Sequence, residues 1–149
     1  MVLWRISNHT SLDGEGGRRA PGRWHSRGRA IVYCTQSPAA ALLEILVHAR
    51  LTLADSPLSY RLLQILAPPD ALGVAIESQD LPPDWRRTPL VTRRVGDAWL
   101  SERGSPLLMV PSAVIAKTTN VLVNPLHPAA ARIVIVDASE HVVDPRLLR

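Results

Sequence analysis

Three segments of this 149-residue chain carry side chains that could do chemistry, and the first is rich in arginine and glycine. It covers Gly22–Gly28 and reads GRWHSRG. Arginine presents a planar fork of donors that matches phosphate oxygens, and glycine lets the backbone approach a ligand closely. The segment therefore suits an anionic ligand, with Arg23 and Arg27 as candidate contacts. Taken alone, it is explained more simply by a solvated basic turn in which Trp24 closes the core.

The second segment leads from a strand-like run into a helix-like one, over Val32–Glu44. Tyr33 belongs to the strand, and Glu44 lies two turns into the helix, where His48 shares its narrow polar stripe. A carboxylate in this place can stabilise a cation or activate a nucleophile. The simpler alternative makes Tyr33 an aromatic of the core or its rim, and Glu44 a solvent-facing partner of His48.

The third segment is the apolar run Leu107–Val110, followed by Pro111 and Ser112. A serine directly after a buried strand is well placed at the edge of a cleft. Asn120 and Asn124 follow it along the chain. The alternatives are that Ser112 caps a turn and that Asn124 belongs to an Asn-Pro turn.

The elements that must position these side chains are strands with a few helices between them, which predicts a mixed α/β (α+β) fold. At 149 residues the chain fits one compact domain, residues 1–149. The predicted strands are Leu3–Ser7, Ala30–Cys34, Leu58–Leu66, Gly73–Ile76, Leu107–Val110, Val121–Val123 and Ile133–Asp137. The predicted helices are Pro38–Arg50 and Thr92–Glu102.

The helix that carries Glu44 has a clear start, with Ser37 as N-cap and Pro38 at the first helical position. Its broad apolar arc predicts that it is largely buried, with Glu44 on the one stripe that does not pack hydrocarbon. Asn8–Gly28 is predicted to be a polar loop, too long for a simple connector and therefore functional. Gly104 is the predicted stop of the second helix.

The charge balance favours an anionic partner without identifying it. Lys and Arg number 17 against 13 Asp and Glu, for a net charge of +4 and a pI near 10.2. Such a balance indicates nucleic acid or an anionic small substrate, although a genome rich in Arg codons explains it equally well. Five arginines fall close together between glycines: Arg18, Arg19, Arg23, Arg27 and Arg29.

Several classes of protein are excluded by what the sequence lacks. No apolar stretch is long enough to span a bilayer, no signal peptide is evident, and Cys34 is the single cysteine, so we expect a cytoplasmic protein without disulfides. The five histidines have no metal-ligand spacing, so no metal is expected. Neither a phosphate-binding P-loop nor the nucleophile elbow of the hydrolases is present.

Taken in order, the three segments resemble the RES domain, a family named for an Arg, a Glu and a Ser, which here are Arg23, Glu44 and Ser112. Further stretches resemble the family in the same order: Trp4-Arg5, the Gly-Asp-x-Trp helix at 96–100, the Asn-Pro-x-His-Pro run at 124–128, and Asp144-Pro145-Arg146-Leu147. The chain departs from the family at Pro21 and His25, where Gly and Asn are usual. It also lacks an acidic residue often found at 116–119. These departures bear on loop geometry more than on chemistry.

This resemblance implies a fold similar to bacterial ADP-ribosyltransferase toxins and an activity on NAD⁺, which is the substrate. RES proteins are toxins of toxin–antitoxin pairs, and their usual partner is a DNA-binding antitoxin of the Xre type. Some members hydrolyse or phosphorolyse NAD⁺ and so arrest growth, whereas others ADP-ribosylate a protein. Relatives also suggest a homodimer. No membrane association and no direct contact with nucleic acid are expected.

The resemblance also implies roles for individual residues. Cleavage of the nicotinamide–ribose bond passes through an oxocarbenium-like ribose, which the Glu44 carboxylate would stabilise. Arg23 would bind the diphosphate with help from Arg27. Tyr33 would stack on the positively charged nicotinamide ring, and Ser112 would hydrogen-bond Glu44 or the substrate amide. Asn124 is a further candidate contact for NAD⁺.

Two other functions remain open on the sequence alone. A ribonuclease toxin would explain the basic loop, although no catalytic pair of histidines is evident. A non-enzymatic nucleic-acid-binding module is the other, but aromatic residues make up 4% of the chain and Phe is absent, so few stacking platforms exist.

Overall fold

A seven-stranded sheet organises the structure, a computed structural model that describes residues 1–49 and 58–148. Its spatial order is β4-β5-β6-β2-β1-β3-β7, with every neighbouring pair antiparallel except the parallel pair of β4 and β5. This mixed sheet with its helices confirms the predicted fold class. The strands are β1 (Val2–Ile6), β2 (Val32–Thr35), β3 (Ser59–Leu66), β4 (Gly73–Ala75), β5 (Leu107–Pro111), β6 (Thr119–Val123) and β7 (Val134–Val142).

Both faces of the central strands are buried, because alternate residues of β5 and β6 enter two separate cores. On one face Leu107 and Val121 pack with Leu3 of β1. On the other, Leu108 and Leu122 pack with a set of aromatic side chains: Trp24, Trp85 and Trp99. This second core joins the sheet to the loop before β2, through Trp24, and to the helix at residues 89–102, through Trp99.

Three α-helices lie within the described residues: α1 (Glu15–Arg19), α2 (Pro38–Ala49) and α3 (Pro89–Glu102). The start of α2 confirms the prediction, because the Ala40 amide donates to the Ser37 hydroxyl at 3.1 Å. Its predicted last residue, Arg50, lies outside the described residues. No helix within the described ranges is long and apolar enough to cross a membrane.

The predicted burial of α2 is wrong. Ala40 and Ala41 are buried, whereas Leu43 is 40% and Val47 53% exposed. The helix contacts β1 and β2 with one face, so the broad apolar arc extends beyond what the sheet can cover.

Other predicted boundaries also need correction. The short helix α1 lies inside the supposed loop Asn8–Gly28, and α3 begins at Pro89 rather than at Thr92. β7 continues to Val142, because its polar second half pairs with the first half of β3. The helix α3 ends with Arg103 in the left-handed conformation, at φ 52°, so Gly104 does not supply the positive φ.

The loop before β2 lies directly on α3, and this contact requires a glycine. A Cβ atom on Gly96 would fall 1.7 Å from the carbonyl oxygen of Trp24. Hydrogen bonds from α3 hold the same stretch of backbone: Thr92 Oγ1 to the Arg23 carbonyl at 2.6 Å, Arg93 Nε to the Gly22 carbonyl at 2.8 Å, and the Ser26 amide to Asp97 Oδ1 at 2.9 Å. The helix therefore fixes the backbone of residues 22–26.

Substitution of Gly96 by Ala is expected to lower the free energy of unfolding by about 3 kcal/mol or more, because loop and helix must separate to relieve the overlap. The matched control is Gly104→Ala, where a Cβ would have no heavy atom within 4 Å. That control should change stability by less than about 1 kcal/mol. Urea denaturation of the three proteins measures both effects. Equal midpoints for the wild type and Gly96→Ala would contradict the close approach.

Candidate functional site

An open cleft of about 810 Å³ lies between α2 and the loop that α3 holds. Its floor is formed by β1 and β2, and its walls by residues 20–25, one side of α2, and Asn120 of β6. This volume is in the range of pockets that bind substrates and cofactors. Arg23, Tyr33 and Glu44 all line it, so residues predicted from the first and second segments meet in one cavity.

The Glu44 carboxylate is held at one of its two oxygens. Its Oε1 accepts from Ser112 Oγ at 3.0 Å and from Asn120 Nδ2 at 2.8 Å. Its Oε2 lies 3.3 Å from His48 Nε2, and His48 itself is at the exposed edge of the cleft. The side chain of Glu44 is 20% exposed. Neutral donors therefore orient the carboxylate through Oε1, while Oε2 faces His48 at the edge of the cleft.

The hydroxyl of Ser112 is fully used in holding Glu44. Its oxygen accepts from the amides of Val114 and Ile115, both at 3.1 Å, so its one proton points to Glu44. The residue is 2% exposed. Of the two contacts expected for Ser112, the structure shows the one to Glu44, and the burial of the hydroxyl leaves it no path to a substrate.

Asn120 is a site residue that the sequence analysis names with the third segment but to which it assigns no role. A carboxylate can only accept, so the amide nitrogen of Asn120 must face Glu44. Its Oδ1 is buried and has no hydrogen-bond partner among the described residues. One feature of the sequence indicates a role for Asn120. It lies at the start of the apolar run of β6, two residues before the buried Leu122, where an amide side chain is unexpected.

Arg23 is anchored through one end of its guanidinium. Nη1 donates to the carbonyl of Arg86 at 3.0 Å and, more weakly, to that of Trp85 at 3.5 Å. The Trp85 ring in turn lies 6.1 Å from the Trp24 ring, centroid to centroid. The position of the Arg23 side chain at the cleft wall is therefore fixed before any ligand arrives.

Tyr33 ties the loop to the sheet through its hydroxyl. Tyr33 Oη accepts from the Trp24 amide at 3.0 Å and lies 2.8 Å from His25 Nδ1. His25 Nε2 faces the carbonyls of Gly17 and Ala20 and so carries the ring proton, which leaves Nδ1 to accept from the Tyr33 hydroxyl. Burial is the largest cause of a raised Tyr33 pKa, so the phenol stays neutral. The ring of Tyr33 lines the cleft.

Two predicted contacts do not lie in the cleft. Arg27 is exposed and Asn124 is 1% exposed, and neither forms part of the cleft wall. Asn124 Oδ1 accepts from the Leu126 amide at 3.1 Å, and Nδ2 donates to the Leu100 carbonyl at 3.4 Å, so the side chain closes a turn instead. The Asn-Pro turn considered for Asn124 is the interpretation that its contacts support.

The cleft also contains Cys34, which is a poor nucleophile. Burial raises the pKa of its thiol to about 12, so the reactive thiolate is scarce at neutral pH.

Among residues 1–49 and 58–148 there is no group of three or more His, Cys, Asp or Glu that could hold a metal ion.

Comparison with known proteins matches nearly the whole chain to one protein family. The sequence model of the RES domain matches residues 2–144. A protein named Toxin Res, from Pseudomonas putida (strain KT2440), is 45% identical over 130 residues, which cover 87% of this chain and 88% of the relative. The Prs ADP-ribosylating toxin of Sphingobium sp. (strain YBL2) is 35% identical over 157 residues, or 99% and 96% of the two chains.

The fold has a counterpart among solved structures. The crystal structure of the M. tuberculosis MbcT–MbcA toxin–antitoxin complex contains a chain that matches with a TM-score of 0.72 at 20% sequence identity. The match covers 98% of this chain and 85% of that one. At this identity the likeness concerns the architecture of the sheet and its helices.

Replacing Tyr33 by Phe is expected to lower the free energy of unfolding by about 1–3 kcal/mol, because the Trp24 amide and His25 Nδ1 lose a buried partner. Tyr60→Phe is the matched control, since Tyr60 is the other of two tyrosines and its ring lies beside His141, 5.6 Å between centroids. Its effect should be less than about 0.5 kcal/mol. Thermal and urea unfolding measure the difference. Equal losses in the two variants would show that the Tyr33 hydroxyl does not hold the loop.

Proposed function

Because this chain belongs to the RES domain family, we propose that it is the toxin of a toxin–antitoxin pair and that it breaks the nicotinamide–ribose bond of NAD⁺. The observation that carries this proposal is the Glu44 carboxylate, held at Oε1 by two neutral donors in a cleft that Arg23 also lines. Relatives named as toxins, one of them ADP-ribosylating, support the same conclusion.

The chemistry needs one well-placed negative charge. As the carbon–nitrogen bond breaks, its electron pair leaves with nicotinamide, and positive charge develops on the ribose. Glu44 Oε2 stabilises this charge, and the leaving group is neutral, so no general acid is required. When water attacks, a carbon–oxygen bond forms and a proton is released. Glu44 Oε2 can accept that proton, and His48, 3.3 Å away at the exposed edge, can pass it to solvent.

Binding in this proposal depends on Arg23 and Tyr33. The guanidinium of Arg23 has Nη1 on backbone carbonyls, which leaves its other N–H groups for diphosphate oxygens. The ring of Tyr33 lines the cleft, where it can stack on the cationic nicotinamide ring. Arg27 and Asn124 are left out of the proposed site because they lie outside the cleft wall.

Transfer of ADP-ribose to a protein is the second candidate, and the 35% identical relative named Prs ADP-ribosylating toxin favours it. Both reactions use the same cleft and differ in the acceptor, which is water or phosphate in one case and a protein side chain in the other. Incubation with labelled NAD⁺ and cell lysate separates them. Free ADP-ribose, or its phosphate product, indicates hydrolysis or phosphorolysis, whereas a labelled protein band indicates transfer.

Expression of the chain without a partner is expected to arrest bacterial growth and to lower cellular NAD⁺. Arg23→Ala and Glu44→Ala should each remove at least about 99% of the activity, because one loses the diphosphate contact and the other the charge that stabilises the cation. Both variants should stay folded, with stability within about 1–2 kcal/mol of the wild type.

Arg19→Ala and Glu102→Ala are matched controls for that experiment, since both residues are exposed and lie outside the cleft wall. They should arrest growth as the wild type does. Arrested cells with normal NAD⁺ would contradict NAD⁺ depletion and favour protein modification. Unfolding of Glu44→Ala would instead assign Glu44 a structural role.

The partner in this proposal is a separate antitoxin of the Xre type that covers the cleft and brings an acidic group or a chain-terminal carboxylate to Arg23. A desolvated pair of arginine and carboxylate is strong and directional, and it would imitate the substrate diphosphate. The architectural match to a chain from a toxin–antitoxin complex supports a partner of this kind.

Competition tests where the antitoxin binds. A non-hydrolysable NAD⁺ analogue and the purified antitoxin are expected to exclude each other from the wild-type protein, as measured by calorimetric titration of one in the presence of the other. Binding of both at once, without mutual loss of affinity, would show that the antitoxin acts from another surface.

A further inference from the structure

A second cavity, of about 340 Å³, lies on the other side of the loop that carries Arg23. The side chains of Arg18, Arg29 and Arg103 line it, and it shares no wall residue with the cleft. The sequence places five arginines between residues 18 and 29, and the fold divides them. Arg23 faces the cleft, while Arg18 and Arg29 meet Arg103 at the end of α3.

Two of these guanidiniums are held by carboxylates that lie outside the cavity wall, and one of them also contacts Ser101 in the wall. Arg29 Nε lies 3.3 Å from Asp97 Oδ1, and its Nη1 donates to Ser101 Oγ at 2.7 Å. Arg18 Nε lies 3.0 Å from Glu15 Oε1. Within the described residues these contacts leave Arg29 Nη2 and both terminal nitrogens of Arg18 unused. The donors of Arg18 and Arg29 are thus oriented in advance. With Arg103, the cavity has three guanidiniums against two carboxylates, so one positive charge is in excess.

Arg103 supplies an independent indication. It adopts a left-handed conformation, at φ 52°, which side chains other than glycine rarely take. The next residue is Gly104, which could have ended α3 without strain. Such outliers persist where the side chain is needed. A cation at the end of a helix also complements its dipole, and the experiment below separates this explanation from ligand binding.

We propose that this arginine pocket, formed by Arg18, Arg29 and Arg103, binds a phosphate group, either as free phosphate or as the terminal phosphate of a monoester. Three guanidiniums from three elements match a tetrahedral oxyanion better than a planar carboxylate, which one fork satisfies. The cavity exceeds the size of phosphate, and Leu100 and Leu126 in its wall can pack against a sugar.

The pocket spans both ends of the loop that shapes the cleft. The Gly28 amide donates to the Arg18 carbonyl at 3.1 Å, so the chain closes on itself between residues 18 and 28. A phosphate that joins Arg18, Arg29 and Arg103 ties this closed loop to the end of α3. Its occupancy therefore adds a restraint on the two ends of the loop to the hydrogen bonds by which α3 holds residues 22–26.

Calorimetric titration of the full chain with inorganic phosphate, AMP and adenosine tests the pocket. Phosphate and AMP should bind the wild type, and adenosine should not. Arg103→Gly removes the side chain and relieves the left-handed strain, so it should keep the unfolding midpoint and raise Kd for both anions by at least about tenfold. Arg19→Gln, a neighbouring exposed arginine outside the pocket, should change Kd less than about twofold.

Two further measurements fix where the anion binds. In the first, Arg23→Gln should bind phosphate with the affinity of the wild type. In the second, phosphate should slow amide hydrogen exchange of residues 19–28 in the wild type, but it should not do so in Arg103→Gly. Tighter binding of AMP than of phosphate identifies a monoester as the preferred ligand, whereas equal affinity identifies free phosphate. Absence of wild-type binding at millimolar phosphate, full affinity in Arg103→Gly, or loss of binding in Arg23→Gln alone would each overturn the proposal.

Discussion

The approach of the Trp24 carbonyl to Gly96 determines how closely the loop before β2 can lie on α3, and the site depends on that distance. With the backbone of residues 22–26 held there, the Trp24 amide donates to the Tyr33 hydroxyl. The Arg23 guanidinium donates to the carbonyl of Arg86, which follows Trp85 of the second core. A loop of this length would otherwise sample many conformations, and ordering it at the moment of binding would weaken affinity. The helix supplies that order in advance.

A second constraint concerns charge rather than distance. Glu44 is oriented by an amide and a hydroxyl, both neutral, rather than by a lysine or an arginine. A cationic partner would hold the carboxylate equally well, but it would cancel much of the field that stabilises a developing positive charge. Ser112 follows β5 and Asn120 belongs to β6. The Glu44 carboxylate is therefore oriented only when these two strands have joined the sheet.

How well the sequence predicts each feature of the structure depends on how far apart along the chain the interacting residues lie. The start of α2 follows from Ser37-Pro38, because capping is local, and apolar runs identify the central strands. The short helix α1 contains Gly16 and Gly17, which are poor helix formers, so its stability comes from packing that the sequence does not display. The family motifs give the order of residues along the chain, but they do not show on which face of the sheet each residue lies. The sequence therefore predicts Asn124 as a cleft residue, whereas the fold places Asn120 in the cleft.

The arginine cluster shows why proximity along the chain is a weak guide to a shared role. Between Arg18 and Arg29 the backbone turns at α1 and again at Gly22, whose amide donates to the His25 carbonyl at 3.1 Å. These turns send neighbouring guanidiniums to opposite sides of one loop. Each side then carries charge fixed by its own partners, which are backbone carbonyls for Arg23 and carboxylates for Arg18 and Arg29. A loop built in this way couples its two sides, because any ligand that restrains one side limits the backbone of the other.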